Sequence, residues 1–341
     1  MSLSSVGARI FGSVLLCTLL AGCRHEVHPQ SYYAFVDKSG RVSIRLQPEQ
    51  EAKTFSEGLA EVSRNGRWGY IDASGAWVIP PRFAEAEEFS EGLAPACKDD
   101  CQGENGWGYI DRTGNFVIPP RYGWASPFSD GVAAVCSGAC WIPKLAGPSP
   151  SYSYINKAGD FVIKPTPSWT SPGSFSEGRA WVFEMPLLVG GKVVDYQQPT
   201  ARLIDHTGRF VSDARFLWGI RFSCGLAETD RGYVNRAGEV VIARPLPGTE
   251  STFSEGWASV TIGGRDVFID TTGKVVLRPD CCQYAKSFSE GLAAACKGDH
   301  EYENGWGYID KTGKFVIPPQ FHHSLGPFRN GLALICFGCK D

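Results

Sequence analysis

The residues of this chain with the most chemistry in them are carboxylates and cysteines, and the carboxylates recur with a regular rhythm. Ile or Val followed by Asp or Asn and, three positions after that, by Gly appears eight times, at Asp37-Gly40, Asp72-Gly75, Asp111-Gly114, Asn156-Gly159, Asp205-Gly208, Asn235-Gly238, Asp270-Gly273 and Asp310-Gly313. A second motif, Phe-Ser-Glu-Gly or a near variant, begins at Phe55, Phe89, Phe128, Phe175, Phe222, Phe253, Phe288 and Phe328. Two carboxylates flanking a glycosidic bond would make a hydrolase. Recurrence in every unit points elsewhere, because an active site needs its acids once and a turn needs its acid in each copy. Asp or Asn at the first position of a four-residue turn accepts hydrogen bonds from the backbone ahead of it, and Gly takes the left-handed conformation that closes a hairpin.

The first residues suggest a different chemistry. Ile10 to Leu20 is an apolar run too short for a stable bilayer span, preceded by Arg9 and ending at Leu20-Ala21-Gly22-Cys23. These residues resemble the bacterial lipobox. The resemblance implies a signal peptide over 1–22, a diacylglyceryl group on the Cys23 thiol and acylation of the new amino terminus. Several acyl chains anchor durably where one binds only marginally. Residues 23–31 then form the lipidated cysteine and a polar tether. Arg24 stands where an aspartate is associated with inner-membrane retention, which favours the outer membrane as the location in the cell envelope.

Ten further cysteines follow: Cys97, Cys101, Cys136, Cys140, Cys224, Cys281, Cys282, Cys296, Cys336 and Cys339. An even number in an exported chain argues for disulfides. Cys97, Cys136, Cys296 and Cys336 each lie eight residues after a Phe of the second motif. Cys101, Cys140 and Cys339 follow turn-like residues, which a local bridge requires because an extended chain would hold the pair too far apart. His300 takes the partner position in the seventh unit, so Cys296 turns to Cys281 or Cys282 and Cys224 is left for the other. A zinc site with His322 and His323 is the alternative, but only Cys336 and Cys339 have Cys-x-x-Cys spacing, and no metal site is assigned. No phosphate loop, nucleophile elbow or thioredoxin-like pattern is present, so no cofactor is expected.

The elements that must position these residues are strands. Composition points to many short strands and tight turns, with 40 Gly, 22 Pro, 2 Met and 12% aromatics. Trp68-Gly69-Tyr70-Ile71 runs into a turn, Trp77-Val78-Ile79 runs out of it, and a third strand of the type Leu59-Ala60-Glu61-Val62 follows the Phe corner. The turn Asp or Asn lies 17 to 19 residues before the next corner Phe, whereas the corner Phe lies 13 to 30 residues before the next turn. All length variation therefore falls in one connection, and Lys98 to Glu104, Ser137 to Ser151, Glu184 to Pro199 and Lys297 to Glu303 are loops expected on one face. The repeated Trp68, Trp107, Trp306, Tyr70, Tyr109 and Tyr308 are read as inter-unit core rather than a sugar-stacking platform.

Gly106-Trp107-Gly108-Tyr109-Ile110-Asp111, with Gly114, Val117-Ile118-Pro119-Pro120 and Phe128-Ser129-Asp130-Gly131, resembles the bacterial WG (KWG) repeat family. Units one, four, five and six lack the Trp-Gly pair, and unit seven has Asp266-Val267-Phe268 in its place. The resemblance implies a repetitive all-β architecture in envelope and secreted proteins. The expected domain is 32–341, an eight-unit array with cores at 32–62, 66–97, 105–136, 152–183, 200–228, 231–261, 265–296 and 303–336. A propeller-like ring is preferred because closure removes exposed sheet edges, with an open β-solenoid as the alternative. Against the ring stand three strands per unit in place of four, and no evident amino-terminal partner for the last strand. A net charge of -3 with 20% charged residues leaves no electrostatic footprint for nucleic acid. The functional expectation is a non-catalytic, lipid-anchored protein presenting a surface to a protein or glycan. An envelope glycan hydrolase and a purely structural envelope protein are the alternatives.

Overall fold

A computed structural model describes residues 31–138, 140, 151–166, 169, 171–184, 188–189, 192–193, 200–243, 251–280, 282–296, 305–321 and 325–338. The signal peptide, Cys23, nearly all of the tether, Cys281, Cys339, His300, His322, His323 and the loop from Lys297 to Glu303 lie outside the described residues. Ser31–Asp341 forms one compact unit. Among the described residues every regular element is a β-strand.

The strands form consecutive antiparallel sheets. Sheet I joins Phe328–Arg329, Leu332–Phe337, Tyr32–Asp37 and Val42–Arg45. Sheet II is Ala60–Arg64, Arg67–Ile71 and Trp77–Phe83, and sheet III is Glu85–Ala86, Ala94–Cys97, Trp107–Ile110 and Phe116–Tyr122. Sheet IV is Trp124–Ala125, Ala133–Ser137, Ser151–Ile155 and Phe161–Thr166, and sheet V is Ala180–Glu184 with Thr200–Ile204. Sheet VI holds Leu226–Thr229, Gly232–Asn235 and Val240–Ala243, and sheet VII holds Trp257–Ile262, Arg265–Asp270 and Val275–Leu277. Sheet VIII is Tyr284–Ala285, Ala293–Cys296, Trp306–Ile309 and Phe315–Phe321.

These sheets are the blades of a propeller ring. Leu332–Phe337 pairs antiparallel with Tyr32–Asp37 from Tyr32↔Phe337 to Asp37↔Leu332, so the last strand does have its partner at the start of the domain. The open solenoid is thereby set aside. Each hydrophobic cluster straddles two neighbouring sheets, and the series runs from I–II round to VIII–I without a gap. The expected count of eight like units needs correction. Seven sheets have three or four strands, and position V has two. After the turn at Asp205, the chain joins sheet V only through the single bridges Ile204↔Phe210 and Ala201↔Phe216, where polar Ser212-Asp213 stand in place of the Ile-Pro of the Val-Ile-Pro-Pro run. The fourth strands missed in the sequence are two residues long, as at Glu85–Ala86, Trp124–Ala125 and Tyr284–Ala285.

The Trp-Gly and Pro-Pro pairs explain one another. In sheet III the register shifts where Trp107–Ile110 meets Ile118-Pro119-Pro120, and a Cβ on Gly108 would sit 2.5 Å from the Ile118 carbonyl oxygen. Only glycine lets the two backbones approach this closely. Gly69 and Gly307 meet Ile79-Pro80-Pro81 and Ile317-Pro318-Pro319 in the same way.

The repeat boundary read from the sequence also shifts. The hairpin belongs to one sheet, while the corner Phe and the third strand belong to the next, and the two meet across the boundary. The aromatic two residues before the turn packs on the next corner Phe in Phe35–Phe55, Tyr70–Phe89, Tyr109–Phe128, Tyr154–Phe175, Tyr233–Phe253, Phe268–Phe288 and Tyr308–Phe328, with centroids 4.6 to 4.9 Å apart. Unit five, which lacks the aromatic, places Leu203 against Phe222 in the same cluster. Five tyrosines add a hydrogen bond, their hydroxyls donating to the carbonyls of Glu87, Ser126, Gly173, Ser251 and Gly326 at 2.7 to 2.8 Å. The repeated aromatics are thus core, as their periodicity implies. Replacing Tyr109 by Phe removes one such buried bond and is expected to cost roughly 1 to 2 kcal/mol. A lowered urea midpoint at unchanged slope checks it.

Candidate functional site

The ring has two ends of different character, and strand direction separates them. In sheet III the strand Ala94–Cys97 leaves the corner and its antiparallel neighbour Trp107–Ile110 runs back to the turn at Asp111, so corner and turn share one end. The connection from Lys98 to Gly106 lies at the other. The same holds for the connections that follow Ser137, Glu184 and Cys296.

At the corner end the repeated acids are fully engaged in structure. Each turn Asp or Asn accepts the amides two and four residues ahead through one side-chain oxygen, as Asp111 does from Thr113 (2.9 Å) and Asn115 (3.0 Å). The six turn aspartates have carboxyls held below the usual range, chiefly because the hydroxyl two residues ahead also donates to them, as Thr113 does to Asp111 at 2.6 Å. Carboxyls held ionised in this way do not suit the role of general acid.

The corner acids bind the next sheet. Glu57 accepts the amides of Glu91 (2.6 Å) and Gly92 (3.0 Å). The series continues with Glu91 to Gly131, Asp130 to Gly178, Glu177 to Gly225, Glu255 to Gly291, Glu290 to Gly331 and Asn330 to Gly58. Both central corner residues have positive φ, such as 50° for Glu57 and 82° for Gly58, the two-residue hairpin loop that suits strand twist. A basic residue just after the turn Asp or Asn of the following sheet pairs with five of the six acidic corners. Arg112 pairs with Glu57, Lys157 with Glu91, Lys311 with Glu255, Lys38 with Glu290, and His206, when protonated, with Asp130, at 3.1 to 3.9 Å. After the two uncharged corners, Cys224 and Asn330, that position holds uncharged Thr271 and Ala73. The match is one of registry, since half-exposed pairs contribute at most about 1 kcal/mol.

At the loop end, disulfides Cys97–Cys101 and Cys136–Cys140 close the bases of two variable loops, with Cα atoms 5.6 and 6.2 Å apart. Trp107 Nε1 donates to the Cys101 carbonyl at 3.1 Å, and Arg67 donates to the Lys98 carbonyl and to Asp99. Cys336 is disulfide-bonded as well. Cys282 and Cys296 are buried in different clusters, at the VII–VIII and VIII–I boundaries. The assignment of Cys224 to a disulfide is corrected. It is an exposed free thiol at the corner of sheet VI, where it replaces the corner Glu and has no bridging partner among the described residues.

Two features were not anticipated from the sequence. A cavity of about 520 Å³ opens between sheets VII and VIII, lined by Ser251, Ser259, Asp266, Tyr284, Lys286, Trp306 and their neighbours. Asp266 holds the position of Trp107 and Trp306 in its unit, and its carboxylate accepts the Thr261 hydroxyl (2.7 Å) and the Ala285 amide (3.0 Å). Lys286 Nζ donates to the Leu325 carbonyl (3.1 Å) and lies 5.8 Å from the Trp306 ring centre, its pKa lowered by desolvation. The departure of unit seven from the Trp-Gly pattern was the available signal. The second feature is Glu61, which is fully buried with neither carboxylate oxygen hydrogen-bonded. Its strand is buried on both faces, so alternation could not reveal it. The nearby Lys53 instead donates to the Ala86 carbonyl and to Glu87.

A ring of β blades with disulfide-pinned loops at one end defines a repeat scaffold of the propeller class. The description "WG containing repeat" matches residues 33–68, 68–100, 107–139, 152–184, 268–299 and 306–338. The chain belongs to the WG-repeat family. The matches pass over units five and six, which include the reduced sheet V. No curated protein sequence matches the chain. Among solved structures, one titled as the eukaryotic initiation factor aligns with a TM-score of 0.51 and 13% identity over 84% of this chain and 83% of that one. Apo AztD from Citrobacter koseri aligns at 0.48 and 11% identity over 90% and 97%. The first likeness is one of fold alone.

Desolvation raises the Glu61 carboxyl to about 8, well above its ordinary 4.5. A carboxyl raised by folding favours the fold while protonated, so its contribution is complete below pH 4.5 and is lost as pH rises towards 8. Melting of the parent protein is therefore expected to weaken more between pH 5 and 8.5 than that of Glu61→Gln. Parallel profiles of the two would contradict this.

Proposed function

We propose that the protein is a lipid-anchored component of the bacterial cell envelope whose ring presents its loop end to a protein or glycan partner, without catalysing a reaction. One observation carries the reading. The connections that vary in length leave the ring at a single end, and two of them are pinned at their bases by disulfides, whereas the opposite end is occupied by turns and corner bonds that vary little. Loops on a rigid scaffold are where binding residues concentrate. The repeated acids, held by backbone amides and basic side chains, favour this reading over a hydrolase. The Leu20-Ala21-Gly22-Cys23 sequence supports the anchor, with the outer membrane favoured by Arg24.

A photo-crosslinking residue at Asp100, on the loop end, is expected to capture a defined envelope component in intact cells. The same residue at Ala158, on the corner end, is expected to capture none. Equal capture at both positions would overturn the reading. Labelling with a palmitate analogue, present in the parent protein and absent in Cys23→Ser, checks the anchor independently.

A further inference from the structure

We infer that the cavity between sheets VII and VIII is a binding site for a neutral sugar of monosaccharide size. The void has a definite origin in the repeat. Units two, three and eight place Trp68, Trp107 and Trp306 at the fourth position before the turn, and unit seven places the much smaller Asp266 there. Six residues past the corner Phe the side chain is also small on both sides, Ser259 in sheet VII and Ala294 in sheet VIII, where sheet V has the buried Trp181 packed against Gly219. With Asp266 in place of a Trp and no bulky side chain at Ser259 or Ala294, about 520 Å³ is left open, within the range of about 300 to 1,000 Å³ usual for small-molecule sites.

The lining selects the ligand. Asp266 is 8% exposed and is oriented before any ligand arrives, by the Thr261 hydroxyl and the Ala285 amide. A carboxylate oxygen with one such donor retains a second lone pair for a ligand hydroxyl. Lys286 donates to the Leu325 carbonyl, so among the described residues of the wall one positive and one negative charge balance and an ionised ligand gains nothing overall. Ser251, Ser259 and Ser287 supply hydroxyls, while Trp306, Tyr284 and Leu325 supply an apolar and aromatic side. A ring with hydroxyls on its edge and C–H groups on its face uses both. An amino acid would occupy Asp266 and Lys286 and leave the serines idle. The site is separate from the pinned loops, and it stands whether or not they bind a partner.

Isothermal calorimetry on the full-length protein, in a detergent without a sugar headgroup, tests the assignment. Glucose, galactose and N-acetylglucosamine are the probes, with glycine and alanine as zwitterionic comparisons. At least one sugar is expected to bind saturably at one site per chain, weakened tenfold or more by Asp266→Trp, which restores the residue of the sibling units. Lys286→Met, which keeps the cavity and removes the charge, is expected to weaken it similarly and decides the matter if Asp266→Trp does not fold. Silence of all three sugars, binding equal in a folded variant and the parent, or binding of an amino acid alone would each overturn the proposal.

Discussion

The contact between a hairpin aromatic in one sheet and the corner phenylalanine of the next is the interaction on which the ring depends. A three-stranded sheet cannot bury both of its faces alone, and here each face is covered by a neighbour of the same design. Tyr109 against Phe128 shows how much one contact accomplishes. The two rings fill the seam, the tyrosine hydroxyl satisfies the Ser126 carbonyl, and the chain between them is held to a length that lets both ends meet. Lengthening that segment would part the rings, whereas lengthening the loop after the third strand disturbs nothing in the seam. The near-constant spacing and the single site of variation have this one cause.

The regularity of that contact made the all-β class, the eight Asx turns and the two local disulfides legible in the sequence. Each is set by residues close together in the chain. The ring was preferred on the ground that closure removes exposed edges, but the strands that close it were not legible, because Tyr32 and Phe337 have no local signal that they pair. Nor was the boundary between sheets, since corner and hairpin are adjacent in sequence but lie in different blades. The two-residue strands at Glu85 and Trp124 are too short to show alternation. Cys224 misled because counting cysteines to an even number ignores where each one sits. At the corner of sheet VI it replaces Glu, with its backbone at a φ of 56°.

The acids illustrate how a repeat can resemble chemistry without performing it. Asp111 looks like a catalytic carboxylate until its oxygen is seen to hold two amides and a hydroxyl. Glu57 looks solvent-facing until its partners in the next sheet are seen. The pairing of acidic corners with basic turns, and of uncharged Cys224 and Asn330 with Thr271 and Ala73, shows neighbouring blades matched to one another. The departures from this order, Asp266 and Glu61, are the residues that the repeat itself does not explain. One opens a cavity, and the other stores an unpaired carboxyl in the core.

A double-mutant cycle across the strand pair that closes the ring tests the central claim most directly, using Tyr32→Leu and Phe337→Leu, whose rings stack 5.1 Å apart where Tyr32–Asp37 pairs with Leu332–Phe337. Two residues far apart in sequence that touch only if the ring closes should be coupled by about 0.5 to 1.5 kcal/mol in unfolding free energy. Additivity within about 0.3 kcal/mol would mean that the first and last strands of the domain do not pair as described, and the account of the ring would fail with it.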